Sequence, residues 1–513
     1  MRLAPTRLVT PIVISLFVVP VLDLGGSLGG ATHAPASRPA FVAPAVPFVP
    51  AGSGRIYVRR LRDTVVIVGN PVTLKPTELR TAPASRARTT KFDNSGFPAT
   101  MEPGPEQQLR GGASNNAVRA WPGALAWRTS LPGNARGVLF TTEAVFVATE
   151  ALNGVAALEP STGMVKWFTA APSWVHGDPV VHGDAVIVTY GHLPLDRPPG
   201  GVLSLDRRTG AQRWRMNLSA GVMPAPALRG DTLFITAGDG CAMAIDAATG
   251  RERWRSCVAT TFAMSSPRLG ADGLFAGGVD GSLFRWNTST GATVWRAALG
   301  VAGHIGDTPV ALGDSLVFTS GVRGVVGRTA FGEMPVSTIL RTASRLLGEG
   351  RVRNALGLRF VEPIALAIRA RDGTIAWRTS LGTDVNVLRN LSGTPVLADG
   401  AIFLASPVTR ALYRIDSHDG TIVWRASVGS ASRGAVTVFD RRVFLTASDS
   451  SLRAFDAGTG AALGRCRLDA ASSPFAPVVV GRSLLLGTQS TQLSVVPLRR
   501  IDAALRLNGS ACA

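Results

Sequence analysis

The side chains that could do chemistry are few and regularly placed. His176 stands in His176-Gly177-Asp178-Pro179, and His304 in His304-Ile305-Gly306-Asp307-Thr308-Pro309, each just ahead of a Pro-Val strand signal. An imidazole there could carry a proton, hold a hydrogen bond or ligate a metal. Asn390 and Arg433 come at comparable places, Met223 and Met264 at two more, and Trp174 precedes His176. No nucleophile elbow, phosphate-binding glycine loop or zinc-type His/Cys spacing accompanies them. The expectation is therefore ligand or partner contact, with no catalytic set and no metal. The alternative is that each side chain only ties down its own loop.

The elements that position these residues are set by a repeat. A turn Gly recurs at Gly123, Gly163, Gly210, Gly250, Gly291, Gly373, Gly420 and Gly460, at intervals of 40 to 47 residues apart from one of 82. Four residues after each comes Trp127, Trp167, Trp214, Trp254, Trp295, Trp377 or Trp424, and only the last copy departs, with Gly464 in that place. An acid or amide closes the strand before the turn, as in Asp206, Asp246, Asn287, Asp416 and Asp456. Such a side chain accepts hydrogen bonds from turn amides, and Gly supplies the positive φ. The Trp offers a broad apolar ring with one N–H donor, suited to docking one unit on the next.

Each unit carries two further strand signals, so the pattern predicts four short antiparallel strands per unit. That is the signature of a β-propeller blade. The chain enters on a fourth strand at Gly123 to Leu131 and ends, near Leu498, on a unit lacking one. The expected fold is all-β: an eight-bladed β-propeller of four-stranded blades, closed by the N-terminal strand in the last blade. The long interval reads as an insertion at about 322–360, with helical spacing at Ile339, Leu340, Ala343, Leu346 and Leu347; a degenerate ninth blade is the alternative. In this architecture His176, His304, Asn390, Arg433 and Trp174 fall at one mouth of the central channel. The loop Gly191 to Pro199 is a candidate contact loop.

Outside the repeats, Arg2 and Arg7 precede a Pro-broken apolar run, Leu8 to Leu22, so residues 1–36 read as a signal peptide or, if uncleaved, an N-terminal anchor. Residues 37–116 read as a linker with two possible short strands, 117–498 as the propeller and 499–513 as a C-terminal tail. The four cysteines are even in number in a chain that reads as exported. Cys241 and Cys257 lie at the two ends of one hairpin and could staple it. Cys466 and Cys512 would then pair by elimination; free buried thiols are the alternative. The net charge of +19 comes almost wholly from Arg, since Lys75, Lys91 and Lys166 are the only lysines. The arginines are scattered, which argues against nucleic acid as partner and leaves some affinity for anionic lipid or cell-wall polymer.

The repeat of Asp, small turn residues, Thr-Gly and Trp resembles the pyrroloquinoline-quinone-type propeller family over Gly123 to Leu498. That resemblance implies one of two branches: quinoprotein dehydrogenases using the quinone with calcium, or non-enzymatic propellers like that of the Bam outer-membrane assembly complex. The dehydrogenase branch carries adjacent cysteines and a dense acidic and amide cluster, and this chain has neither. The Bam-like branch carries a lipid-anchoring Cys, and none follows the apolar run here. The resulting expectation is a secreted or envelope-located, monomeric, non-catalytic scaffold that binds a protein or envelope component. No cofactor is expected; a quinone- or metal-dependent oxidoreductase is the alternative. Membrane contact would come only through the N-terminal segment.

Overall fold

In a computed structural model, the described residues are 57–61, 64–68, 106–107, 116–192, 198–271, 273–301, 310–323, 360–382, 384–385, 393–432, 434–470 and 476–512. They build eight antiparallel sheets arranged as propeller blades. Blade 3 is representative: Ala227–Arg229, Thr232–Thr236, Cys241–Asp246 and Glu252–Cys257 pair in sequence order. Blades 1 and 2 span 134–170 and 180–218, and blades 4 to 7 span 268–298, 311–380, 396–427 and 437–467. Blade 8 joins the two ends of the chain, with Trp127–Ser130 pairing antiparallel to Gln492–Pro497 as its outer strand. The middle strands are buried on both faces, as apolar runs such as Ala185–Gly191 allow, whereas the outer strand alternates, as in Glu252–Cys257.

The polar turns of blades 2, 3, 4 and 7 share one construction, with an Asp or Asn side chain taking the turn amides. In blade 3, Asp246 Oδ1 accepts from the Thr249 amide at 2.9 Å and its hydroxyl at 2.8 Å, and the Gly250 amide donates to the Asp246 carbonyl at 2.8 Å. These bonds and Arg253 hold the Asp246 carboxyl at about 2. A bulge between Ala244 and Ile245 absorbs the odd residue and brings Cys241 directly opposite Cys257. Those two form a disulfide, as do Cys466 and Cys512.

The turn of one blade is the seat for the Trp of the blade before. Trp127 Nε1 donates to the Pro160 carbonyl at 2.9 Å, Trp254 to Thr288 at 2.9 Å, Trp295 to Ala370 at 3.0 Å and Trp424 to Ala457 at 3.1 Å. Trp167, Trp214 and Trp377 reach Arg207, Ala247 and Ser417 likewise. Each indole then lies on the turn glycine: a Cβ at Gly250 would fall within 3 Å of the Trp214 ring, at φ +74°. The glycine is required twice, by backbone conformation and by close approach.

The interface between blades 7 and 8 has no such Trp. Gly464 holds its place, and the backbone of Leu505 covers it so closely that no Cβ would fit. Leu505 belongs to α1 (Leu498–Arg506), whose buried side chains Leu498, Ile501, Ala504 and Leu505 pack with Phe444, Leu452 and Leu468. Asp502 pairs with Arg442, Gly509 N donates to the Arg465 carbonyl at 2.9 Å, and Cys512 bonds Cys466. Residues 499–512, read as a C-terminal tail, thus form a helix and a bonded strand edge. The apolar spacing Leu498, Ile501, Ala504 and Leu505 is helical, but it extends over only 9 residues.

Parts of the segment read as linker also pair. Tyr57–Leu61 and Thr64–Val68 form a hairpin with each other. Glu106–Gln107 adds to the inner edge of blade 3, and Val118–Arg119 runs parallel to the inner strand of blade 8. Gln107 and Asn116 each donate to and accept from one inner-strand residue, Val181 and Val438 respectively. In blade 5, Leu316–Arg323 pairs directly with Phe360–Arg369, so the long interval is an insertion between two strands of one blade. The signal-peptide segment and the expected helix at Ser337 to Leu347 lie outside the described residues.

A paired substitution isolates the docking contact. Gly250→Ala meets both the Trp214 ring and a positive φ, whereas Gly230→Ala meets only φ +55° with open space around it. The expected costs are about 2–4 kcal/mol and about 1 kcal/mol respectively, read by urea denaturation. Equal costs would remove the Trp–Gly contact as a source of stability.

Candidate functional site

Two sets of connections share one face of the propeller: those from each outer strand to the next blade, and those between each blade's second and third strands. Trp174 and His176 lie there, on the path into Val180–His182. The loop is held firmly. The Gly191 amide donates to the Trp174 carbonyl at 3.0 Å, Asp178 Oδ1 accepts from Val138 N of blade 1 at 3.0 Å, and Gly177 packs on the Ala225 backbone of blade 3.

The ring centroids of Trp174 and His176 are 5.6 Å apart, and Trp174 meets His192 edge-on at 6.2 Å. On its other side Trp174 packs with Met223, Ala263, Met264 and Val279. The result is a half-buried aromatic and thioether surface spanning blades 2 to 4. Thioethers and a Trp suit an apolar side chain of varied shape.

His176 is the polar element of this surface. Its Nε2 lies 3.8 Å from Glu150 Oε1, and Glu150 pairs with Arg136. Burial disfavours the imidazolium, and the nearby Arg136 charge adds to this, lowering the His176 pKa to about 3. The ring is therefore neutral. Its Nε2, like His192 Nδ1, has no hydrogen-bond partner among the described residues. A neutral imidazole offers one donor and one acceptor, and here its Nε2 is buried toward Glu150.

Of the residues expected at this mouth, Trp174 and His176 come together with Met223 and Met264. His304, Asn390 and Arg433 lie outside the described residues. His182 belongs to the opposite face, where its Nε2 meets Asp231 Oδ1 at 2.7 Å. The seven docking tryptophans occupy the interfaces between blades. Sequence reasoning missed Arg136 and Glu150. The signal for Arg136 was present, since it precedes His176 by 40 residues and is likewise followed by Gly. Glu150 has no such signal, because its contact with His176 is created by the apposition of two blades. Among the described residues no group of three or more His, Cys, Asp or Glu side chains could hold a metal.

Fold and turn chemistry define a propeller of the pyrroloquinoline-quinone-type repeat class. The family model described as "Outer membrane protein assembly factor BamB" matches residues 115–193, 199–332 and 363–508. This is more than half of the chain, which therefore belongs to that family. Among solved structures, the chain is similar to BamB from Moraxella catarrhalis, with 16% identity and a TM-score of 0.52, over 72% of this chain and 95% of that one. It is similar also to the computationally designed Ika8 protein, with 13% identity, a TM-score of 0.51, and 73% and 100% of the two chains covered. A third is a europium-containing methanol dehydrogenase, with 12% identity, a TM-score of 0.52, and coverage of 75% and 90%. At these identities the likeness is one of fold. No curated protein sequence matches the chain significantly.

The His176 environment has a pH signature. The ring stays neutral in the fold down to about 3 but takes a proton near its ordinary 6.5 when unfolded. Between those values the unfolded chain binds the extra proton, so stability is full above about 6.5 and falls as pH drops through this window. His176→Gln should flatten the slope of unfolding free energy between pH 6 and 4 by up to one proton, about 1.4 kcal/mol per pH unit. Asp246 acts lower, between its ordinary 3.8 and about 2. An unchanged slope from pH 6 to 4 would contradict the neutral, buried imidazole.

Proposed function

We propose that this chain is an exported, non-catalytic propeller that binds an envelope protein through the face carrying Trp174, His176, Met223 and Met264. Membership of the BamB family supports a protein-binding scaffold in general. The observation that carries the choice of face is the joining of Trp174 with two methionines and the neutral His176 imidazole across three consecutive blades. Buried aromatic anchors ringed by polar groups are where binding energy concentrates in protein interfaces. Export is supported by the two disulfides, which use all four cysteines, and by the basic and apolar N-terminus.

The test is photo-crosslinking of the full-length chain in its own cell envelope. A benzophenone side chain is placed at Trp174 and, as control, at the exposed Met164 of blade 1. The reading expects one dominant protein adduct from position 174 that Met264→Asp reduces, and none from position 164. In parallel, addition of pyrroloquinoline quinone with calcium should give no dye-linked alcohol oxidation. Quinone-dependent turnover, or equal adducts from both positions, would overturn the reading.

A further inference from the structure

The two disulfides stand in different surroundings. Cys466 and Cys512 are 1% and 3% exposed, inside the apolar cluster that seats α1. Cys241 is also buried, but its partner Cys257 lies exposed at the end of the outer strand Glu252–Cys257. A thiolate breaks a disulfide by reaching one of its sulfurs, so exchange is fastest where the bond meets solvent.

The two halves of the exposed bond are held unequally. Cys241 belongs to a middle strand, and its carbonyl accepts from the Ala237 amide at 2.9 Å while its own amide donates to Asp239 Oδ1 at 3.2 Å. Cys257 ends a strand that is paired on one side only. The ladder sets the two residues directly opposite each other with or without the covalent bond. Two thiols left there stay within reach, so the bond can open and re-form without unfolding the blade.

What the bond steadies is part of the Trp174 surface. The chain leaving Cys257 runs through Val258 to Ala263 and Met264, which pack with Trp174. Along the way the Val258 amide donates to the Gly240 carbonyl at 3.0 Å, and the Val258 and Thr260 carbonyls lie so close over Gly240 that a Cβ there would meet both. The fully buried Phe262, set against Phe284 and Trp286, anchors the far end of this connection, and the disulfide anchors the near end.

We propose that Cys241–Cys257 is a redox-sensitive clamp: an extracytoplasmic dithiol opens it, the connection after Cys257 loosens, and the Trp174 surface loses the fixed placement of Ala263 and Met264. The proposal rests on the reading of that face as the partner surface. In the step itself a thiolate of the dithiol attacks Cys257 Sγ, the bond to Cys241 breaks, and Cys241 leaves as a thiolate that takes up a proton. The second thiol of the dithiol then displaces Cys257 from the mixed disulfide. Two electrons and two protons reach the protein, and the dithiol ends as a disulfide.

The experiment exposes the native full-length protein to dithiothreitol, alkylates at intervals with iodoacetamide and quantifies each cysteine by mass spectrometry. Cys241 and Cys257 should be labelled about tenfold or more faster than Cys466 and Cys512, and removal of the dithiol should restore the bond. At the stage when only the first pair is open, hydrogen exchange should rise several-fold across residues 256–264 while blades 5 and 6 stay unchanged. The double variant Cys241→Ser, Cys257→Ser should show that exchange without dithiol, with unaltered far-UV circular dichroism; the wild-type measurements stand without it. The adduct from benzophenone at position 174 should fall on opening the clamp. No adduct even from the oxidised protein would sink the partner reading, and labelling and hydrogen exchange would still decide the clamp. Equal labelling of the two pairs, or exchange across 256–264 that reduction leaves unchanged, overturns the proposal.

Discussion

The structure depends on an indole laid across a glycine. A blade is only four short strands and cannot bury both of its faces alone, so the ring exists because each blade docks on the next. The docking contact has three parts in fixed register: a Trp ring, a turn glycine with no Cβ to obstruct it, and a turn carbonyl that takes the indole proton. Trp167, Trp254, Trp295, Trp377 and Trp424 are also each backed by a Phe from the same blade's second strand, as Phe234 backs Trp254 with centroids 6.0 Å apart. The contact links a residue of one blade to the most constrained residue of its neighbour, and so it transmits blade geometry around the disc.

A closed ring must also have a seam, because the chain begins and ends somewhere. Here the terminal strands share blade 8, and the neighbouring interface gives up the Trp for α1 and the Cys466–Cys512 bond. The substitution is physically coherent. A fourth-strand Trp at position 464 would occupy the space that α1 fills, and the C-terminal segment brings four buried side chains plus a covalent tie. Seven interfaces are therefore maintained by a docked Trp, and one by α1 and a disulfide.

Much of this was legible because a repeat states its own rule many times. Asp246, Thr249, Gly250 and Trp254 could be assigned to turn and docking from spacing alone, and the end-to-end closure followed from counting strands. The departure at Gly464 was visible, but its meaning was not, since the helix that replaces the Trp is short and lacks a capping side chain. The mouth was partly legible. Trp174, His176, Met223 and Met264 mark themselves as non-repeating residues at a repeating position. Their shared surface with Ala263 and Val279, and the Arg136–Glu150 pair behind His176, arise from packing between blades. Uniform positions thus hold the ring, and functional chemistry is sought where the uniformity breaks.

Hydrogen exchange with mass spectrometry on the intact chain, oxidised and then reduced, tests most directly whether the seam is closed differently from the other interfaces. Reduction should strip protection from α1, from Ala462–Arg467 and from blade 8, while the Trp-docked blades 4 to 6 keep theirs. Blade 3, which carries the other disulfide, should loosen only at its outer strand. Uniform loss around the ring, or first loss at a Trp-docked interface, would contradict the assignment of α1 and Cys466–Cys512 as the closure.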